Sequence, residues 1–184
     1  MSAVLPGLTI LRQWLLEANY APILEMAEKK KGILSLLTAL TYDEDVKISD
    51  RAIETAGLAA HIIAGRDPDY VRNTLLRLFW LVNDESGGIC WRAPELIGEI
   101  LYHCPQFDQF FPMLISLLDL EEEDAPRFRA GTLWAIGRVA QVAKDAMLPA
   151  LSRVQVFTSG DKSIDEDIKE KAMWCTEQLT ANVA

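Results

Sequence analysis

The hydrophobic positions recur at the spacing expected of helices that bury one side. Leucines at every third position, beginning with Leu34, Leu37 and Leu40, return to nearly the same face of a helix. No stretch alternates apolar and polar residues as a half-buried strand does. The pattern therefore predicts an all-α chain. The predicted helices span about 8–19, 22–42, 47–64, 68–83, 89–103, 107–120, 126–142, 145–157 and 165–180.

The pattern repeats after about forty residues. A shift of 41 positions aligns residues 34–57 with 75–98 without a gap, and 10 of these 24 positions are then identical. Each copy reads as a leucine-striped helix, an acidic turn and a second helix opened by a basic residue and an alanine. Such a helix pair cannot bury both faces alone, so the repeat predicts that neighbouring pairs stack. The basic-alanine marks begin at residues 51, 92, 129 and 171.

Three glycines lie inside the predicted second helices, at Gly57, Gly98 and Gly137. Glycine in a helix interior costs about 1 kcal/mol relative to alanine. We therefore expect a close approach of neighbouring helix backbones at these three positions.

This organisation resembles HEAT-like repeats of the armadillo type. The most similar segment is Arg-Phe-Arg-Ala-Gly-Thr-Leu-Trp-Ala-Ile-Gly over residues 127–137, and Pro112 and Pro149 match the family's first-helix proline. The first two copies depart from the pattern, with glycine six rather than eight residues after the arginine. The resemblance implies a right-handed α-α superhelix of about four HEAT-like helix pairs with an N-terminal capping helix. The implied single domain, 1–184, comprises a cap at 1–20 and repeats at about 21–65, 66–104, 105–143 and 144–180.

The charge of the chain limits the classes of macromolecule that it is expected to bind. The 184-residue chain has a formal net charge of −9, and residues 84–124 alone contain ten acids and one base. This acidic block favours a basic protein or peptide and argues against nucleic acid, which needs clustered Lys and Arg. The longest stretches without charge are 11 residues, too short to cross a membrane. The three cysteines are an odd number and have no paired spacing, which indicates reduced thiols. We therefore expect a cytoplasmic protein.

The turn at 83–95 is the most unusual segment, because acids, two glycines, a thiol and a tryptophan meet there. One interpretation is a recognition surface anchored by an aromatic ring, on which surface carboxylates capture a basic partner. Charge reversal at Glu95 and Glu99 would then cost no more than about 1 kcal/mol of stability. The alternative is an aspartate-arginine ladder in which Asp84 pairs with Arg92 or Arg51. The candidate binding residues are Asp84, Glu85, Trp91, Arg92, Glu95 and Glu99.

Nucleophilic catalysis and metal binding have little support in the sequence. Cys90 with His103 as base would be hindered by the adjacent acids, and no Cys or His spacing fits a metal site. His61 and His103 are expected to be hydrogen-bonded at helix ends, and no cofactor is implied. The lysines within 28–31 read as a polar surface patch. Core packing is expected for the aromatic residues Phe79, Trp80, Phe110, Phe111, Trp134 and Trp174.

The sequence thus favours a non-enzymatic interaction or assembly scaffold that binds a basic partner through the acidic block 84–124. The alternative is a cofactor-handling enzyme, such as a lyase-like tetrapyrrole binder on the same scaffold, which would need a Trp-lined groove with a reachable thiol or carboxylate.

Overall fold

The computed structural model describes residues 5–82, 91–120, 125–159 and 164–181, with the backbone alone at 125–127. These residues form helices joined by turns, and no strand occurs among them. The all-α prediction is confirmed. No described helix has both the length and the apolar character needed to cross a bilayer. The α-helices are α1 Leu8–Leu16, α2 Ala21–Lys29, α3 Ile33–Leu40, α4 Val46–Ala64, α5 Pro68–Val82, α6 Ala93–His103, α7 Phe111–Ser116, α8 Ala125–Met147, α9 Leu151–Val156 and α10 Glu166–Thr180.

The second helices of the predicted pairs form a row that follows the order of the chain. In this row α4 contacts α6, α6 contacts α8, and α8 contacts α10. The other helices pack on this row: α2 and α3 on α4, α5 on α6, α7 on α8, and α9 on α10. The leucine stripe is buried, since Leu34, Leu37, Leu75 and Leu78 are at most 2% exposed.

The glycines of the second helices lie where neighbouring helices come closest, which confirms the sequence-based prediction. A Cβ added at Gly98 of α6 would lie 2.6 Å from Cα of Ala135 on α8. At Gly57 of α4 it would lie 2.8 Å from the Glu99 carbonyl oxygen, and at Gly137 it would overlap the Trp174 ring. Since real Cβ atoms avoid contacts this short, the row of second helices requires glycine at these positions.

The first helices are less regular than predicted. The helix expected at 22–42 is broken between Lys29 and Ile33, because Lys30 adopts an extended conformation (φ −141°, ψ 103°). The helix expected at 107–120 consists of α7 flanked by 3₁₀ turns at Pro105–Phe110 and Leu117–Asp119. Phe107 and Phe110 in the first of these turns are buried, so side-chain packing outweighs regular helix geometry here.

Helix α1 ends in a left-handed turn that is occupied by an alanine. Ala18 has φ 54°. Its N–H donates to the Leu15 carbonyl, and the N–H of Asn19 donates to the Trp14 carbonyl. These are the two hydrogen bonds of a Schellman motif, in which glycine normally takes the left-handed position.

We therefore expect Ala18→Gly to raise the free energy of unfolding by about 1 kcal/mol, because glycine relieves the left-handed strain of alanine. The measurement is urea unfolding followed by circular dichroism. The matched control is Ala39→Gly at an exposed position inside α3, which should lower stability by about 1 kcal/mol. If both variants lose stability equally, the left-handed turn is not the determinant.

The aromatic residues do not all enter the core. Phe79, Phe110 and Phe111 are buried as expected. Trp80 is 60% exposed, so its assignment to the core is wrong. Trp80 lies on the side of α5 that faces away from the core, whereas Leu78 and Phe79 are buried. The large apolar side chains of α5 extend around more of the helix than the face that packs against the core.

Candidate functional site

The helices α4, α6, α8 and α10 line a common groove of about 500 Å³. Each of them was predicted as the second helix of its pair. They contribute rows of side chains one or two turns apart, such as Trp134, Arg138 and Gln141 on α8, because positions i, i+4 and i+7 share a helix face. The lining residues are Asp50, Ile53, Glu54, Arg92, Glu95, Glu99, Ala130, Gly131, Trp134, Arg138, Gln141, Asp167, Lys171 and Trp174.

Glu99 is the centre of a buried ionic cluster between α6 and α8. It is 2% exposed, and Arg138 binds both of its oxygens, with Nε at 2.9 Å from Oε2 and Nη2 at 3.0 Å from Oε1. His103 Nε2 lies 3.1 Å from Oε1. Burial opposes the charge of Glu99, but the hydrogen bonds from His103 and Arg138 outweigh it and lower the carboxyl pKa. The Arg138 guanidinium also lies 3.4 Å from the centre of the Tyr102 ring.

Arg92 forms a second ionic cluster, which joins α4 to α6. Its Nη2 donates to Asp50 Oδ1 at 2.8 Å, and its Nε lies 2.8 Å from Glu95 Oε1 without hydrogen-bond geometry. Burial raises the pKa of Glu95 in spite of the neighbouring Arg92 charge. The other oxygen, Glu95 Oε2, lies against Gly131, where a Cβ would collide with it. Glycine at 131 thus makes room for this carboxylate.

The six sequence-based candidates are only partly brought together. Arg92, Glu95 and Glu99 line the groove, whereas Asp84 and Glu85 lie outside the described residues. The ring of Trp91 stacks on Phe128 with centroids 5.5 Å apart and is partly buried against the core. The expectation that Glu95 and Glu99 are surface carboxylates is wrong. Their spacing correctly predicts that Glu95 and Glu99 share one face of α6, but α8 packs against that face and leaves little of either side chain exposed.

The alternative interpretation, an aspartate-arginine ladder in which Asp84 pairs with Arg92 or Arg51, stays a prediction, because Asp84 lies outside the described residues. Arg51 donates to the carbonyls of Leu15 and Leu16 at the end of α1, and Asp43 is paired with Arg12 at 2.7 Å. Among the described residues, Arg92 binds Asp50 on the preceding second helix. The arginines that recur along the sequence thus have different described partners, backbone carbonyls for Arg51 and a carboxylate for Arg92.

The histidines and the described cysteines have structural roles. His61 Nδ1 lies 2.8 Å from the His103 carbonyl oxygen, which ties the ends of α4 and α6 together and confirms the expected hydrogen-bonded state. Cys104 and Cys175 are buried, and burial raises the pKa of each thiol to about 12. Cys90 lies outside the described residues. Within the described ranges, no group of three or more His, Cys, Asp or Glu residues could hold a metal ion.

Two tryptophans of the groove were not among the sequence-based candidates. The rings of Trp134 and Trp174 are nearly parallel, with an interplanar angle of 13° and centroids 6.5 Å apart. Both are partly buried, and both line the groove. The glycine at 137 makes room for the Trp174 ring. The available signal was spacing, since Trp134 is four residues before Arg138 and Trp174 three after Lys171.

No family model matches the chain. The chain is 42% identical over 113 residues to a protein of Archaeoglobus fulgidus described as uncharacterized. The matched stretch covers 61% of this chain and 56% of that relative, so the chain corresponds to little more than half of the relative's length.

Proposed function

We propose that this protein is a non-enzymatic interaction module, a right-handed HEAT-like superhelix whose second helices bind a basic peptide segment of a partner protein. The groove lined by α4, α6, α8 and α10 is the binding surface. This proposal keeps the basic partner that the acidic sequence suggests and moves its binding site from the 84–124 block to the groove.

The proposal is carried by the combination of negative charge and partly exposed aromatic side chains in one groove. Among the described residues, five carboxylates and three cations line it, which leaves a net negative charge. The side chains of Asp50 and Asp167 are 57% and 61% exposed, so their charges face the solvent. The stacked indoles of Trp134 and Trp174 lie in the same groove, and an indole face attracts Lys and Arg cations.

The buried carboxylates have a supporting role. The side chains of Glu99 and Glu95 are only 3% and 16% exposed, so neither can reach a partner, whereas those of Asp50 and Asp167 are exposed although they too have internal partners, Arg92 and Lys171. Partner recognition therefore depends on Asp50, Glu54 and Asp167 at the edge of the groove, with Trp134 and Trp174 as the apolar platform. The cofactor-handling enzyme needs a Trp-lined groove with a reachable thiol or carboxylate. The groove has Trp134, Trp174 and the exposed carboxylates of Asp50 and Asp167, so this enzyme stays the alternative, while the described thiols, Cys104 and Cys175, are buried.

The test is fluorescence anisotropy of a labelled hexa-arginine peptide titrated with the protein. We expect saturable binding that weakens with added salt, as for charged partners in general. Trp134→Leu should weaken binding at least about fivefold through loss of the cation-π contact. Trp80→Leu, which removes an exposed tryptophan outside the groove, should leave the affinity unchanged.

A second pair of variants separates binding from stability. Asp167→Asn removes an exposed groove charge from the first turn of α10, and Asp69→Asn removes an exposed charge from the same position of α5. Only Asp167→Asn should weaken peptide binding, and both should melt like the wild type. Equal affinities for the two variants, or the absence of any peptide binding, would refute the proposed function.

A further inference from the structure

The break between α2 and α3 brings three consecutive lysines to one cavity. In a continuous helix Lys29, Lys30 and Lys31 would point in directions about 100° apart. The chain instead leaves the helix at Lys30 and turns through Lys31 and Gly32 before α3 begins. The interruption removes backbone hydrogen bonds that the predicted continuous helix would have, and it redirects the side chains of Lys30 and Lys31, while Lys29 stays at the end of α2.

The resulting cavity has a volume of about 480 Å³ and lies away from the groove. It is lined by the three lysines, Arg66 and Asp67 from the α4–α5 connection, and the small or apolar residues Leu5 and Gly32. Among the described lining residues, four cations therefore face one carboxylate, in a chain whose net charge is −9. This local charge is opposite in sign to that of the groove.

Two of the cations are held in place by contacts that leave donors for a ligand. Lys31 Nζ lies 2.7 Å from Asp67 Oδ2 and 4.8 Å from the centre of the Tyr70 ring. Arg66 Nη2 donates to the Ala27 carbonyl at 2.6 Å. A guanidinium has five N–H donors and an ammonium has three, so each retains bonding capacity after these contacts. The cations are thus positioned before a ligand arrives, which reduces the entropy lost on binding.

We propose that this cavity binds a phosphate group, either free or as a phosphomonoester. A phosphate is a compact, multiply charged oxyanion, and Lys and Arg recognise it through charge-assisted hydrogen bonds. Lys29, Lys30, Lys31 and Arg66 supply donors from two segments of the chain. Asp67 is the one carboxylate among the described lining residues, and its negative charge opposes the binding of a phosphate. The site is independent of the proposed peptide groove.

Isothermal titration calorimetry with inorganic phosphate tests this proposal. We expect saturable binding to the wild type, and an affinity at least about fivefold lower for Lys29→Gln. The matched control, Lys47→Gln, removes an exposed lysine from the start of α4 and should bind as the wild type does. Asp67→Asn should raise the affinity at least about fivefold, because it removes the opposing charge.

Two outcomes would overturn the phosphate site: no saturable heat with the wild type, or equal weakening by Lys29→Gln and Lys47→Gln. Sedimentation with vesicles of phosphatidylcholine, with and without phosphatidic acid, distinguishes the source of the phosphate. A free phosphate or small phosphomonoester predicts binding in calorimetry and no co-sedimentation. Co-sedimentation that depends on phosphatidic acid and on Lys29 would assign the phosphate to a lipid headgroup.

Discussion

Gly98→Ala is expected to lower the free energy of unfolding by about 3 kcal/mol, although alanine is the better helix former. Helix propensity alone would stabilise the variant by about 1 kcal/mol. The added methyl, however, would lie 2.6 Å from both Cα and Cβ of Ala135. Since Cα belongs to the backbone of α8, the contact can be relieved only by moving α6 and α8 apart, and overpacking of this kind costs about 1–3 kcal/mol or more.

The control for Gly98→Ala is Gly65→Ala at the end of α4. Gly65 has φ −61°, and its nearest neighbour to an added Cβ is an oxygen at 3.5 Å. Urea unfolding of the two variants should give opposite results, with a large loss for Gly98→Ala and a change below about 0.5 kcal/mol for Gly65→Ala. A Gly98→Ala protein as stable as the wild type would show that α6 and α8 do not pack through this glycine.

Glu99→Gln is expected to cost about 3 kcal/mol, because it leaves the partly buried Arg138 charge without its bidentate partner. Because the pKa of Glu99 is lowered in the folded protein, the stability that this residue contributes depends on pH. A carboxyl whose pKa is lower in the folded state stabilises the protein above its unfolded pKa, near 4.5, and loses this effect as the pH falls through the folded value. The difference between wild type and Glu99→Gln should therefore narrow in acid.

The control for Glu99→Gln is Asp119→Asn. Asp119 forms an ion pair with Arg153 at 3.2 Å, but both side chains are about half exposed. Exposed pairs contribute little, so this variant should lose no more than about 0.5 kcal/mol at any pH. Chemical unfolding at pH 7 and at pH 4 checks both expectations. Equal losses for the two variants at pH 7 would contradict the buried cluster.

The sequence predicted the second helices far better than the first helices. The leucine spacing and the internal repeat predicted α4 and α10 to within one residue at each end, and Gly57, Gly98 and Gly137 indicated where the second helices touch. Helix α6 begins at Ala93, four residues later than predicted, and α8 continues through a kink at Ala143 to Met147, five residues beyond its predicted end. The break at Lys30 was not predicted. Hydrophobic periodicity shows which side of a helix is apolar, but it contains no information about the contacts that a turn makes. Side-chain packing of Phe107 similarly produced a 3₁₀ turn that local propensity does not specify.

The sequence predicted where the candidate site lies along α6, but it did not predict the ion pairs that the residues of this site form. Arg92, Glu95 and Glu99 do share a face, as their spacing required. Their partners Asp50 and Arg138 come from α4 and α8, at sequence separations of about forty residues, and no local pattern reveals which charges meet. The same holds for Trp134 and Trp174, whose stacking depends on the packing of α8 against α10.

If the groove lined by α4, α6, α8 and α10 binds a basic peptide, ¹⁹F NMR of protein labelled with 5-fluorotryptophan will detect the contact at the tryptophans of the groove. The chain has five tryptophans, at positions 14, 80, 91, 134 and 174, and single Trp→Phe variants assign their signals. On titration with hexa-arginine, the signals of Trp134 and Trp174 should shift together, while those of Trp14 and Trp80 stay in place. A shift confined to Trp80 or Trp91, or no shift at all, would show that the peptide does not bind in the groove.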